Sequence, residues 1–446
     1  MSGETESLRF IGAGGEKSHR HVVIIGGGFG GLACARELGN SDVHVTVIDR
    51  RNHNLFQPLL YQVATAALSP ADISEPIRRS LGRYRNIRVL MAEVGGIDRD
   101  TKRVALTDGG EVAYDDLVIA TGSQYNYFGH DDWQSHAPGL KSIHEARQIR
   151  QRLLLAFEKA ELSRSSLQKQ ALLTSIVIGG GPTGVEMAGA ISELGRYMIS
   201  RDYRALAPSQ MRVILLEAGP RILASFPEHL SSYACEYLQK IGVEVRLSQG
   251  VSAVEEGRVT VGDEHIEAGC IVWGAGVKAS PAFTWLGIKE PPGGRIPVDS
   301  HLQVVGLSKI YAIGDTAMAV DTDGKPLPAL AQVAKQQGQY LGRLLGDPTR
   351  ASKPFRFRNR GNTAVIGRHA AVFDFGRWTL KGRFAWLLWA VVHVYLLINF
   401  EKRVLVSTQW IWRYLTRQRG ARIIDENAAS IGDQKEVAQT NALIRR

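Results

Sequence analysis

Short apolar runs, each closed by glycine or by an acid, alternate along this chain with stretches of helical spacing. The first run, His21-Val22-Val23-Ile24-Ile25, reads as a buried strand entering Gly26-Gly27-Gly28-Phe29-Gly30-Gly31, and Leu32 to Leu38 continues as a helix. A second copy begins at Ser175: Ile176-Val177-Ile178 enters Gly179-Gly180-Gly181-Pro182-Thr183-Gly184, with a helical pattern from Val185 to Leu194. The correspondence extends past the glycines. Asp116-Leu117-Val118-Ile119-Ala120-Thr121-Gly122 matches Cys270-Ile271-Val272-Trp273-Gly274-Ala275-Gly276, each an apolar strand ending in a turn of small residues. Gly26 to Gly179 and Gly122 to Gly276 are offset by 153 and 154 positions, a register that separately arising motifs rarely keep. The pattern predicts a duplicated dinucleotide-binding unit, the second copy inserted into the first.

The glycines have a physical reason. In a strand-turn-helix unit the first permits a tight turn, the second lets a pyrophosphate approach the backbone, and the third lets helix pack on strand. Gly26, Gly28 and Gly31 fill these roles in the first copy, with Phe29 and Gly30 between them. Thr46-Val47-Ile48-Asp49 then supplies a second strand ending in an acid for a ribose hydroxyl, followed by Arg50. In the second copy Gly179, Gly181 and Gly184, with Thr183, are followed by Val213-Ile214-Leu215-Leu216-Glu217. This longer spacing is accounted for by extra helix and turn around Glu193 to Gln210. A carboxylate at Glu217 repels a 2′-phosphate, which favours NADH over NADPH. Downstream, Ile310-Tyr311-Ala312-Ile313-Gly314-Asp315 is a further strand ending in Gly-Asp.

Composition narrows the picture. The 446 residues exceed what one core organises, so two or three modules are expected. A net charge of +10 suits nucleic acid or an anionic membrane, and location must decide between them. Cys34, Cys235 and Cys270 are too scattered for a disulfide framework or a zinc site, so no metal centre is expected. Met1 to Arg20 reads as a loose polar tail without the apolar core of a secretory signal.

Gly26 to Gly31, Ala120-Thr121-Gly122, Gly179 to Gly184 and Gly314-Asp315 together resemble the two-dinucleotide-domain flavoproteins, similar in layout to glutathione reductase, over roughly residues 20–345. The resemblance implies that the first unit and the Gly-Asp strand bind FAD, Asp315 holding its ribityl-phosphate region. It implies further that the inserted unit, with Gly276, binds the nicotinamide cofactor. The stretch after Asp49, Asn52 to Tyr61, has no cysteine pair, which argues against disulfide reduction. A sulfide:quinone reductase is the weaker enzyme alternative, and a membrane-recruited FAD/NADH redox sensor the non-enzymatic one.

Four stretches resemble the type II NADH:quinone oxidoreductases: Phe56 to Ala64, Gly181 to Glu186, Ala331-Gln332-Val333-Ala334-Lys335-Gln336, and the aromatic C-terminus. Residues 331–338 read as a helix start with Gln332 and Gln336 on one face. By resemblance this helix, Ala331 included, borders the flavin ring and quinone pocket, where an amide donates to a quinone oxygen. Glu186 is a candidate for orienting the nicotinamide. The apolar run Phe384 to Phe400 is interrupted by His393 and short for a bilayer span. Val404 to Tyr414, with Trp410, Trp412 and then Arg413, Arg417, Arg419 and Arg422, suits a membrane interface rather than nucleic acid. The resemblance implies a peripheral protein on the cytoplasmic face of the cell membrane, its apolar surface also available to a homodimer.

The expected fold is α/β: two Rossmann-like domains, the NAD domain inserted in the FAD domain, plus a C-terminal membrane-associating helical region. The expected boundaries are a tail over 1–20, an FAD domain over 21–145 and 277–348, an NADH domain over 146–276, an anchoring region over 349–427 and a tail over 428–446.

Overall fold

A computed structural model describes residues 20–347, 353–397, 400–416 and 422–424. Apart from Arg20, the two expected tails lie outside the described residues, as do Arg417, Arg419 and the Arg413 side chain.

Two parallel sheets carry the two units. The first orders its strands Ile310–Ala312, Asp116–Ile119, His21–Ile25, His44–Asp49 and Ile87–Met91, all parallel. The second orders them Val243–Arg246, Arg212–Leu216, Thr174–Ile178 and Cys270–Trp273, also parallel. Covered on both faces, such strands read as unbroken apolar runs, and Val22, Val23, Ile24, Ile176 and Ile214 have no exposed surface. The registers repeat as the sequence does: Val22–Ile25 lies opposite Asp116–Ile119, and Ser175–Ile178 opposite Cys270–Trp273. Each unit also carries a three-stranded antiparallel meander, at 94–113 and 251–267.

The chain leaves the first unit along Ser123–Tyr125 and returns along Val277–Ala279, and these two crossings pair antiparallel. The second unit is therefore inserted into the first. A boundary between residues 145 and 146 would cut the helix Ile143–Leu162, whose N-cap Ser142 accepts the amide of Glu145 at 3.2 Å. A division at Ser142 keeps that helix whole.

The C-terminal region departs from an all-helical expectation. Strands Asn362–Gly367, Ala370–Asp374 and Thr379–Gly382 form an antiparallel sheet before the helices Arg383–Leu396 and Phe400–Thr416. This sheet lies on the helix Pro182–Arg201 so closely that a Cβ on Gly189 would sit 1.9 Å from the carbonyl oxygen of Ile366. One apolar core is thereby continuous from the second unit and residues 55–73 of the first into the C-terminal sheet and helices. The parallel sheet of the first unit has its own, closed by the helix Ala331–Gly346 against Phe29–Leu38.

Candidate functional site

The two glycine turns are built alike. Gly26 and Gly179 take left-handed φ values of +107° and +105°. A Cβ on Gly26 would lie 2.3 Å from the carbonyl oxygen of Ala120, and one on Gly179 would lie 2.5 Å from the carbonyl carbon of Gly274. A Cβ on Gly31 or Gly184 would fall 1.8 Å from the carbonyl oxygen of Gly26 or Gly179 respectively, so each helix touches its own strand. Gly28 and Gly181 face open space in both copies. Each also caps its helix without a side-chain hydrogen bond, leaving the first-turn N–H groups free for phosphate oxygens.

The acids repeat too. Asp49 accepts the amides of Gly27 (2.6 Å) and Arg51 (2.8 Å), while Glu217 accepts those of Gly180 (2.5 Å) and Gly219 (2.7 Å). Each carboxylate thus braces the turn while keeping lone pairs for a ribose hydroxyl. Arg50 is exposed beside Asp49, and Phe29 and Thr183 are half-buried at their turns. The open turns, uncapped helix starts and carboxylates fit one adenine dinucleotide in each unit.

The Gly-Asp turn reaches the first site. Gly314, with φ +72°, donates its amide at 2.7 Å to Gln337, and Asp315 accepts from the Ser123 hydroxyl at 2.5 Å. Lys141 donates to Ser123 at 2.7 Å. Thr121 shares hydrogen bonds with Ser280 (2.5 Å) and Thr316 (3.1 Å), so the end of Ala120-Thr121-Gly122 is stitched to both the return crossing and the Gly-Asp turn. Gln337 and Ser123 were not singled out from sequence. Residues 333, 334, 337, 338, 341 and 345 are buried at helical spacing, and that periodicity would have put Gln337 on the inner face.

Gln332 and Gln336 lie together on the helix, as expected, but their amides pair with the backbone of 358–361. Gln332 donates to the Gly361 carbonyl (3.1 Å) and accepts from the Arg360 amide (3.1 Å). Gln336 donates to the Arg358 carbonyl and accepts from its amide, both at 3.0 Å. Ala331 is half-buried at the start of the same helix.

A cleft of about 1820 Å³ opens between the helix Pro182–Arg201, the segment around Tyr61–Thr65 and the two C-terminal helices. Glu186 lines it, its carboxyl accepting the Val365 amide at 3.4 Å, and burial pushes its pKa up to about 8. Glu186 therefore faces the C-terminal module. The far wall is aromatic. Trp389 stacks on His393 (4.4 Å) and on Trp410 (5.3 Å), and the Trp410 indole N–H donates to the Gln62 side-chain oxygen at 3.0 Å. Burial holds His393 down to about 4, so it is neutral at pH 7, with its Nδ1–H directed at the Trp389 carbonyl (2.8 Å). At the mouth of the cleft, Phe384, Leu387, Val391 and Tyr395 form an exposed apolar stripe on one helix, joined by Ile411 of the next, and Val404, Leu405 and Trp412 are exposed outside it. Among the described residues no helix is long and apolar enough to cross a membrane.

None of the three thiols is held as a thiolate. Cys34 and Cys270 are fully buried and burial raises their pKa, as it does that of the half-buried Cys235.

Comparison with known proteins agrees with this geometry. Residues 20–338 match the family described as pyridine nucleotide-disulphide oxidoreductase, and residues 359–419 match the NDH2 C-terminal domain. The chain is 39% identical to the type II NADH:quinone oxidoreductase NdhA of Mycobacterium tuberculosis, over 91% of this chain and 89% of that protein. It is 30% identical to an internal alternative NAD(P)H-ubiquinone oxidoreductase of Arabidopsis thaliana mitochondria, over 92% and 86%. In fold it is similar to NDH2 of Plasmodium falciparum solved with NADH (TM-score 0.82, 22% identity, 90% of this chain and 99% of that one). It shares that fold more distantly with a sulfide:quinone oxidoreductase of Aquifex aeolicus (TM-score 0.68, 19% identity, 86% and 91%). The chain belongs to the FAD-binding pyridine nucleotide-disulphide oxidoreductase family and, within it, to the type II NADH:quinone oxidoreductases.

Proposed function

We propose that this chain oxidises NADH by hydride transfer to bound FAD and reduces a membrane quinone to quinol, without pumping protons. The observation that carries the reading is the joining of two dinucleotide cradles to an aromatic cleft that opens between helices with exposed apolar faces. Bound FAD supplies the two-electron relay. Gly26, Gly28, Phe29, Gly30, Gly31, Asp49, Arg50, Ala120, Thr121, Gly122, Gly314, Asp315, Ala331 and the backbone near Gln332 form its cradle. Gly179, Gly181, Thr183, Gly184, Glu217 and Gly276 form the cradle for NADH, with Glu217 selecting against a 2′-phosphate.

NADH gives up one hydride, the electron pair reaches the quinone, and the quinone takes two protons. Glu186 is suited to hold one of them, because a carboxyl whose pKa stands near 8 is largely protonated at neutral pH and can release its proton toward developing negative charge in the cleft. Gln332 and Gln336 brace the 358–361 segment across the start of their helix. Direct hydrogen bonding of either amide to quinone requires exchanging a backbone carbonyl for the quinone oxygen. The exposed apolar stripes favour peripheral attachment to a membrane, where a quinone enters the cleft from the lipid, and the need for NADH favours the cytoplasmic face of the cell membrane. A second copy of the chain would compete for the same surface.

Anaerobic mixing in two steps tests this reading. NADH alone is expected to bleach the flavin absorbance, and a quinone analogue added afterwards to restore it. Bleaching without restoration would leave an NADH-reducible flavoprotein that is not a quinone reductase.

A further inference from the structure

The link from the FAD unit into the NADH unit carries a strained and exposed aromatic residue. Phe128 has φ +53°, a left-handed conformation that a bulky side chain rarely adopts, and the residue is 62% exposed. The turn around it is over-determined. Asn126 accepts the Phe128 amide on its side-chain oxygen at 2.9 Å, its carbonyl accepts the Trp273 indole N–H at 3.0 Å, and its amide donates to the Gly276 carbonyl at 3.2 Å. Gly129 follows with φ +93°. Tyr127 and Trp273, on either side, are buried, with ring centroids 4.9 Å apart, while the Phe128 centroid lies 6.4 Å from Trp273. The turn therefore buries two aromatic rings and holds the third in solvent.

That ring sits against the second dinucleotide turn. A Cβ on Gly276 would lie 3.4 Å from the Phe128 Cζ, which puts the phenyl at the Gly274-Ala275-Gly276 end of the strand Cys270–Trp273. This end borders the glycine turn itself, since Gly274 and Ala275 are the atoms that exclude a side chain from Gly179. The first helix turn in the second copy starts with Pro182 and Thr183 and offers no ring of its own.

We propose that Phe128 is a binding residue for the reduced nicotinamide dinucleotide, a fixed aromatic shelf at Gly276 against which the ligand packs. The proposal rests on the reading that Gly179–Gly184 is the NADH cradle. An exposed, pre-positioned ring loses little freedom when a ligand covers it, so packing on its face contributes to affinity with little ordering penalty.

Phe128→Gly is the informative variant, because glycine accepts the left-handed φ and so removes the ring without destabilising the turn. Phe128→Tyr keeps the shelf. The measurement is NADH affinity of the FAD-loaded proteins, followed anaerobically through flavin reduction and, for the unreactive product NAD+, through quenching of protein fluorescence. Loss of one aromatic packing partner should weaken dinucleotide binding about three- to tenfold. The Tyr variant should match wild type, and the KM for quinone and the FAD content should not change. Equal dinucleotide affinity in Phe128→Gly and wild type would overturn the proposal. Failure of wild type itself to bind NADH would instead overturn the assignment of the cradle on which it rests.

Discussion

Glu217 and Asp49 end equivalent strands and brace equivalent turns, yet only Glu217 has to discriminate between two soluble cofactors. Replacing Glu217 by Gln removes its charge, and replacing it by Arg inverts it. The expected outcome in both is an NADH KM raised about tenfold or more, with NADPH use improved in the Arg variant. Unchanged selectivity in steady-state assays with both cofactors would remove Glu217 from this role. Glu186 gives a pH signature. Folding raises its pKa from 4.5 to about 8, so between those values the folded chain keeps a proton that the unfolded chain has released. Its contribution to stability is complete below pH 4.5 and is lost as pH rises through about 8. Glu186→Gln should therefore flatten the fall in melting temperature over that range, lower quinone reduction below about pH 8 and remove the wild-type fall in rate on the alkaline side, as read from melting and rate profiles against pH. At this scale the sequence was legible wherever backbone geometry demanded glycine. It was less so for Gln332 and Gln336, whose spacing put them on one helix flank but could not say that the 358–361 segment covers that flank. Gln337, one position on, faces the Gly-Asp turn instead.

The helix pair beneath the first cradle is held by an absence of side chains. A Cβ on Gly338 would meet the Gly30 carbonyl oxygen at 2.1 Å, and one on Gly342 would meet the Cys34 carbonyl oxygen at 2.7 Å. Gly338→Ala forces backbone against backbone and must shift the neighbouring Gln337, which holds Gly314. A loss of about 1–3 kcal/mol in stability is expected, together with weaker FAD retention, measured by thermal melting with and without added FAD. A melting curve and FAD content equal to wild type would show that the helices separate freely. The duplicated strand-turn-helix units were legible at this scale because a period of roughly 153 residues repeats strand, turn and acid together. The C-terminal sheet was not anticipated. Ala364-Val365-Ile366 and Ala370-Ala371-Val372-Phe373 are apolar on both faces, buried between the helix Pro182–Arg201 and the helix Arg383–Leu396, so they lack the alternation that marks an exposed strand.

Across the whole molecule the C-terminal module touches both nucleotide units. Its sheet lies on the NADH unit, while its last helix reaches the FAD unit through Trp410 to Gln62 and Glu401 to Arg79 (both 3.0 Å). The same last helix exposes Val404, Leu405 and Trp412 outside the cleft. The double variant Leu405→Glu with Trp412→Glu places charge on that outer face and should abolish co-sedimentation with lipid vesicles while sparing turnover with a water-soluble quinone. Retained vesicle binding would move the membrane contact elsewhere. The unit count and the insertion were evident from the chain, whereas the cleft was not, because it forms from segments near residues 61, 186, 365, 390 and 410 that meet only on folding. Steady-state oxidation of NADH, NADPH and sulfide by FAD-loaded protein with a soluble quinone analogue tests the central claim most directly. Fast turnover selective for NADH and dependent on quinone is the predicted result. Bound, reducible FAD with no NADH-driven quinone reduction, or with sulfide as the preferred donor, would contradict it.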